Sequence, residues 1–149
     1  MKPIVSNRKA RHEFTILETT EAGISLMGTE VKSLREGRAN LVDAYAVYDH
    51  GEIVLRGLHI SSYSHTSQTN LDPRRDRTLL LHKKEIRRLI GKVKEKGLTL
   101  VPLKLYFNNK GIVKVELALA KGRRTYDKRR AIAKRDADRD LRRTLKDRG

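Results

Sequence analysis

The pattern of apolar and polar positions predicts one helix clearly, in residues 82–96. Apolar side chains occur there at Ile86, Leu89, Ile90 and Val93, the i, i+3, i+4, i+7 spacing that places them on one helix face. Gly97 follows, and glycine commonly ends helices because it adopts the left-handed conformation without steric cost. The opposite face is basic and carries Lys83, Lys84, Arg87, Arg88, Lys92 and Lys94.

Residues 101–119 follow a different pattern, in which apolar and mostly polar positions alternate on either side of a turn at 108–111. This period of two predicts an antiparallel hairpin with one buried face. The residues predicted to line that face are Val101, Leu103, Leu105, Phe107, Val113, Val115, Leu117 and Leu119.

The first sixty residues carry shorter patterns. From these we predict a basic arm (1–9), a hairpin (12–19 and 23–28, with its turn at 21–23), a helix capped by Thr29 and ended by Gly37, and a hairpin around a turn at 49–52. Residues 61–77 form a long irregular connection, which is more often functional than idle, and residues 79–81 a short strand.

Strands outnumber helices and no βαβ repeat is present, so the fold class is mostly β rather than a parallel α/β sheet. A small antiparallel barrel with two or three helices satisfies the pattern, because closure leaves no exposed strand edges. We expect this folded domain to span residues 1–120.

Residues 121–149 form a basic tail with 13 Lys/Arg against 5 Asp, half of the chain's net charge of +16. With so few apolar residues, the tail is predicted to be disordered when free. Ala133, Ala137, Leu141 and Leu145 nevertheless recur every four residues, without Gly or Pro between 123 and 148. The tail is therefore predicted to become helical on a polyanion, the alternative being a solvated basic tail.

Composition narrows the function. The charge indicates a polyanionic partner, and the tail lacks the Trp or Phe that would favour a membrane. There is no cysteine and no apolar leader, from which we expect a cytoplasmic protein. We expect it to function as a monomer. The sequence has no H-E-x-x-H, P-loop or G-x-S-x-G motif, so we predict no catalytic residue, metal or cofactor.

Basic residues are grouped at 8–11, at 74–77, on the helix face and at 121–124. Each group alone is most simply a solvated face, but four groups on one small domain favour nucleic acid. Aromatic residues are too few for an extended stacking platform, which leaves phosphate contact and nucleic-acid shape as the basis of recognition. Tyr126 is the exception, since an aromatic side chain within the tail has no core to join.

Several segments together resemble the SsrA-binding protein family (SmpB), the bacterial partner of transfer-messenger RNA (tmRNA) in the rescue of stalled ribosomes. They occur in the family's order along most of the chain. The matching segments are NRKARHEF (7–14), EAG (21–23), GTEVKSLR (28–35), Asn40 with Ala44-Tyr45, DPRRDRTLLL (72–81) and KGRRTYDKR (121–129).

The resemblance implies an OB-fold-like barrel that binds the tRNA-like domain of tmRNA, and a tail that enters the decoding centre and the empty mRNA channel of the small ribosomal subunit. It also implies an adaptor without catalytic chemistry. The implied RNA-binding residues are Asn7, Lys9, Arg11, Glu21, Lys32 and Leu81, and the implied decoding-centre residues are Gly122, Tyr126, Asp127, Lys128 and Arg129.

Two other classes of protein remain open from the residues alone. One is a ribosomal or nucleoid protein that binds nucleic acid broadly through charge. The other is a basic enzyme such as a nuclease, although the scattered carboxylates do not indicate a magnesium site. The sequence of the RNA that the protein captures distinguishes the adaptor from the general binder, and a metal-dependent cleavage assay tests the enzyme.

Overall fold

The computed structural model describes residues 1–62 and 71–122, which contain nine strands and three helices. The strands are β1 (Lys2–Ser6), β2 (Phe14–Ile24), β3 (Ala39–Asn40), β4 (Tyr45–Asp49), β5 (Glu52–Arg56), β6 (His59–Ile60), β7 (Arg77–Leu80), β8 (Thr99–Phe107) and β9 (Val113–Gly122). The helices are α1 (Arg8–Glu13), α2 (Gly28–Arg35) and α3 (Lys83–Lys96). None of these three has the length and apolar content of a membrane-spanning helix.

Six antiparallel strands close into a barrel. Their order is β8-β4-β5-β7-β2-β9, and β9 pairs with β8 to complete the ring. β1 pairs with the second half of β8, beyond the point where β4 pairs with it, and β3 and β6 form a separate two-stranded sheet. The predicted small antiparallel barrel with a few helices, OB-fold-like in character, is confirmed.

α3 covers the main core as its sequence pattern predicted. Ile86, Leu89 and Ile90 are buried in the same apolar cluster as the inward side chains of the barrel, and Val93 packs against it. Gly97 ends the helix in the left-handed conformation, with φ 63°. Periodicity and a single glycine thus fixed both the face and the end of this helix.

The hairpin of β8 and β9 is present, but the prediction of a single buried face is wrong for β8. Leu105 and Phe107 lie in the main core, whereas Val101 and Leu103 lie in a second cluster with Ala10. The register shifts between Pro102 and Lys104. An extra residue at such a bulge moves all preceding side chains to the other face. On β9 the four predicted residues all face the main core.

The N-terminal predictions need two corrections. The expected basic arm is instead β1 followed by α1, and the expected hairpin is one continuous strand, β2. Residues 21–23, which were expected to turn, pair with β9. Gly23 serves a close approach there: a β-carbon on it would lie 3.1 Å from the β-carbon of Leu80.

α2 and the turn at 49–52 were predicted more closely. α2 is capped by Met27 rather than Thr29, because the Glu30 carboxylate accepts a hydrogen bond of 2.9 Å from the Met27 amide. The turn between β4 and β5 has positive φ at His50 and Gly51, as a tight two-residue hairpin turn requires.

β9 continues to Gly122, two residues past position 120. Residues 63–70, in the long connection, and residues 123–149, in the tail, lie outside the described residues.

Candidate nucleic-acid interface

Side chains from four strands form two rows across the outer surface of the barrel. In the first row Gly23 pairs with Leu80 of β7 on one side and with Lys114 of β9 on the other, and Lys114 pairs with Tyr106 of β8. Neighbouring residues in these strands are buried in the core, so strand alternation directs the row outward. In the second row Glu21 pairs with Glu116, which pairs in turn with Lys104.

We call these residues, together with Arg11, the outer-face cluster; its members are Arg11, Glu21, Gly23, Leu80, Lys104, Tyr106, Lys114 and Glu116. Its frame is rigid, because all but Arg11 belong to barrel strands. Three basic residues, two acidic residues, one exposed leucine and one tyrosine share a single face, a mixture suited to phosphate, ribose and base contacts.

Glu21 and Glu116 face each other across β2 and β9, an arrangement that is unfavourable for two like charges unless others compensate. Arg11 Nη2 lies 3.5 Å from Glu116 Oε1, and Lys104 is opposite Glu116 on β8. The Tyr106 hydroxyl donates a hydrogen bond to Glu21 Oε2. The two carboxylates are therefore held by separate partners.

Tyr106 is 7% exposed although it belongs to the outer face. Its burial, and then its hydrogen bond to Glu21, raise the pKa of the Tyr106 hydroxyl above the ordinary value. The hydroxyl therefore stays protonated and remains a donor at neutral pH. Lys104 Nζ lies 5.6 Å from the centre of the tyrosine ring, within the range of a cation–π contact.

Asn7, a predicted RNA-binding residue, is 3% exposed and acts as a structural anchor. Its Oδ1 accepts a hydrogen bond from the Ala10 amide and caps α1, while its Nδ2 donates to the carbonyls of Leu41 and Pro102 at 3.3 and 3.1 Å. Asn7 thereby fixes α1, and with it Lys9 and Arg11, against the barrel.

The predicted basic residues lie on two helices, Lys9 and Arg11 on α1 and Lys32 on α2. Lys9 Nζ donates to Asp43 Oδ1 at 3.1 Å, and this hydrogen bond with the Asp43 charge raises the pKa of Lys9. Arg11, from the same helix, reaches Glu116 and joins the outer-face cluster. Lys32 is exposed on α2, a separate element.

The basic group at 74–77 is largely structural, contrary to its prediction as an exposed patch. Arg75 donates from Nε and Nη2 to the two oxygens of Glu30, at 3.0 and 2.6 Å. Arg77 is fully buried and donates to Glu30, Leu58 and Pro73. Burial alone would raise the pKa of Glu30, but the hydrogen bonds from Arg75, the Met27 amide and Arg77 lower it overall.

Part of the basic face of α3 is also used internally. Arg88 Nη1 and Lys92 Nζ lie 2.6 and 2.9 Å from the oxygens of Glu18 on β2, and these contacts lower the pKa of Glu18. Lys83, Lys84, Arg87 and Lys94 are exposed. Within residues 1–62 and 71–122, no group of three or more His, Asp or Glu is placed to hold a metal ion.

Comparison with protein families decides the relationship. The model of the SmpB protein family matches residues 4–147, nearly the full length. The chain belongs to the SmpB family. The relationship expected from the short sequence motifs is thus confirmed.

Curated SmpB relatives match along the whole chain. The SsrA-binding protein of Moorella thermoacetica is 58% identical over 148 residues, which cover 99% of this chain and 96% of the relative. That of Nocardia farcinica is 61% identical over 144 residues, or 97% and 89% of the two chains. A solved structure described as "tmRNA-SmpB: a journey to the center of the bacterial ribosome" matches with a TM-score of 0.70 and 55% identity, covering 92% and 96%.

Leu80 and Leu81, which are adjacent in this SmpB chain, differ in exposure. Leu81, selected from the sequence, packs against the main core, whereas Leu80 is 56% exposed and lies over Gly23. The sequence reading treated residues 79–81 as a uniform strand. Strand alternation from the buried Leu79 provided a signal for Leu80.

The sequence reading also missed Tyr106, Lys104 and Lys114 as neighbours of Glu21, because their proximity arises from the pairing of β2, β9 and β8. No local pattern links residues more than eighty positions apart. Gly122, selected with the tail segment, is the last residue of β9 and pairs with Phe14. Tyr126, Asp127, Lys128 and Arg129 lie outside the part of the chain that the structure describes.

Proposed function

We propose that this chain is an RNA-binding adaptor that binds the tRNA-like domain of tmRNA and delivers it to stalled ribosomes. The observation that carries the proposal is membership of the SmpB family over residues 4–147. The outer-face cluster supports it with a rigid exposed surface that combines cations, a carboxylate acceptor and an apolar side chain.

In this proposal Arg11, Lys104 and Lys114 contact phosphates, and Leu80 packs against a ribose or an unstacked base. Glu21 accepts hydrogen bonds, and Lys9 and Lys32 contribute at the edges. Asn7 acts indirectly, by holding α1. Aromatic residues are too few for an extended stacking platform, so we expect recognition to depend on the shape of a folded RNA more than on its sequence.

The basic tail has a separate role on the ribosome. Gly122, at the end of β9, would act as the junction, and Tyr126 to Arg129 would contact the decoding centre. The remaining tail would become helical in the empty mRNA channel, consistent with its apolar residues every four positions. We therefore assign the RNA-binding domain to residues up to Gly122 and the ribosome-binding role to those beyond.

Affinity capture with sequencing of the bound RNA tests the proposal. The full chain, isolated from a bacterial lysate at two salt concentrations, should recover tmRNA as the dominant species at both. A broad mixture of RNAs that disappears together as salt increases would instead identify a general charge-driven binder. Incubation of the purified protein with RNA and Mg²⁺ should leave the RNA intact, because we assign no catalytic step to this chain.

A further inference from the structure

The hydrogen bond from Tyr106 to Glu21 joins a buried side chain to an exposed one. Tyr106 lies on β8 and Glu21 on β2, with β9 between the two strands. Gly23, which has no side chain, pairs with Lys114, and Lys114 pairs with Tyr106 in the same row. The tyrosine thus reaches Glu21 from a fixed, buried position.

This contact uses one of the two carboxylate oxygens. Tyr106 donates to Oε2, and among the described residues the Glu21 carboxylate makes no other hydrogen bond or ion pair. Because an ionised carboxylate accepts up to four hydrogen bonds, Oε1 keeps its full capacity to accept. The Tyr106 hydroxyl stays protonated, since its pKa is raised, and so remains a donor to Glu21.

The chemistry of a carboxylate limits what it can recognise. An ionised carboxylate repels phosphate, and in hydrogen bonding it acts only as an acceptor, so its hydrogen-bonding partner must be a donor. RNA offers two kinds of donor at its surface, the ribose 2′-hydroxyl and the amino or imino groups of the bases. Glu21 is therefore suited to a donor group of RNA, while the neighbouring cations are suited to phosphates.

We propose that Tyr106 is a positioning residue for RNA recognition: it fixes Glu21 so that the other carboxylate oxygen accepts a hydrogen bond from a 2′-hydroxyl or base donor. The inference rests on the proposed function, since it names a further residue and the donor chemistry of the same surface. Double-mutant analysis is the direct test, because a merely structural tyrosine would act independently of Glu21.

The experiment measures the affinity of the full chain for the tRNA-like domain of tmRNA. Tyr106→Phe retains the ring and removes the hydroxyl, and Glu21→Gln removes the charge from an exposed site. Each should weaken binding about tenfold, as expected for a hydrogen bond that involves a charged group. The double variant should bind no more weakly than Glu21→Gln alone. Tyr48→Phe, at an exposed tyrosine on β4, is the matched control and should leave affinity unchanged.

Two further readouts separate this role from others. The slope of log affinity against log salt should be unchanged in Tyr106→Phe and Glu21→Gln, whereas loss of a phosphate contact reduces it by roughly 0.7 to 0.9. RNA with single 2′-deoxy positions, and RNA with single bases replaced by analogues that lack an amino or imino donor, should include one substitution that weakens wild-type binding but not that of Glu21→Gln. If that substitution is a 2′-deoxy position, the donor is a ribose hydroxyl; if it is a modified base, the donor is that base.

Wild-type affinity in Tyr106→Phe, or additive losses in the double variant, would overturn the positioning role while leaving the adaptor function standing. A wild-type chain that bound tmRNA no better than unstructured RNA would overturn both.

Discussion

Arg77 donates hydrogen bonds from both Nε and Nη2 to a single oxygen of Glu30, Oε2, at 3.0 and 2.7 Å. Both side chains are buried, and Arg77 also donates to the carbonyl oxygens of Leu58 and Pro73. This pair connects α2 to the segment between β5 and β6 and to the residues that precede β7. Together with Arg75, which donates to both oxygens of Glu30, the pair forms a largely buried charged group that supports the fold.

Glu30→Gln should therefore destabilise the protein severely. Removing one partner of a buried ion pair leaves the other charge uncompensated, at a cost of about 3 to 5 kcal/mol. Chemical denaturation at neutral pH measures the loss. Asp43→Asn, which removes the exposed partner of Lys9, is the control and should leave the unfolding free energy nearly unchanged. Comparable effects of the two substitutions would contradict the structural role of Glu30.

The ion pairs of Glu30 with Arg75 and Arg77 also predict that the stability of the protein depends on pH in the acidic range. The pKa of Glu30 is lowered in the folded protein from an ordinary value near 4.5. A carboxyl group whose pKa is lower in the folded than in the unfolded protein stabilises the fold at pH values above its unfolded pKa. This stabilisation is lost as the pH falls through its folded pKa. Carbon-detected NMR titration of the Glu30 carboxyl should give a midpoint below 4.5, and stability should decline progressively below that pH. A midpoint above 4.5 would contradict this prediction, because it would show that burial raises the pKa of Glu30 more than the hydrogen bonds from the arginines lower it.

Substitution by alanine should have opposite effects on stability at two glycines. Gly57 has φ +83°, and a β-carbon there would lie 3.2 Å from Ala44 Cα and Asp43 O, so Gly57→Ala should cost about 1 to 3 kcal/mol. Gly91 is exposed within α3 with open space around it, and Gly91→Ala should stabilise by about 0.8 to 1 kcal/mol through helix propensity. Thermal unfolding of both variants checks the pair; destabilisation by Gly91→Ala would argue against the helix as described.

Leu80 and Leu81 should separate binding from stability. Leu80→Ala should weaken binding to the tRNA-like domain about fivefold to tenfold, because full burial of a leucine contributes roughly 1.5 to 3 kcal/mol and Leu80 is already partly buried in the free protein. It should leave thermal stability nearly unchanged. Leu81→Ala should lower stability by about 1 to 2 kcal/mol, since this side chain packs against the core. The opposite assignment of effects would restore Leu81 as the contact residue.

The sequence predicted the fold best where the apolar pattern of one helix or strand is sufficient to identify it. α3 follows from the spacing of Ile86, Leu89 and Ile90, and β9 from strict alternation. Features that depend on distant partners were missed or misjudged. The bulge in β8, the continuity of β2 through Gly23, and the pairing of Glu30 with Arg75 and Arg77 across more than forty residues leave no local signature.

The candidate site shows the same division. Family motifs selected Glu21 and Arg11, which the fold brings to one surface through Glu116. They did not reveal that Asn7 is buried, that Tyr106 contacts Glu21, or that Leu80 lies over Gly23, because these relations depend on how distant segments pack and pair. A family motif selects candidate residues, but the strand pairing of the barrel determines which of them are buried and which lie on the surface.

The adaptor account divides the chain at Gly122, since β9 extends to that residue. A chain ending at Gly122 should keep its thermal transition and most of its affinity for the tRNA-like domain. Replacing Asp127, Lys128 and Arg129 by alanine in the full chain changes the net charge by only −1. Both variants should still bind tmRNA but should lose function on the ribosome.

Peptidyl transfer to tmRNA on purified stalled ribosomes is the most direct measurement of the central claim. The full chain should support transfer, whereas the chain ending at Gly122 should bind tmRNA without supporting it. If the full chain bound tmRNA and gave no transfer above the protein-free background, the adaptor account would be contradicted; full activity of the shortened chain would contradict the role assigned to its tail.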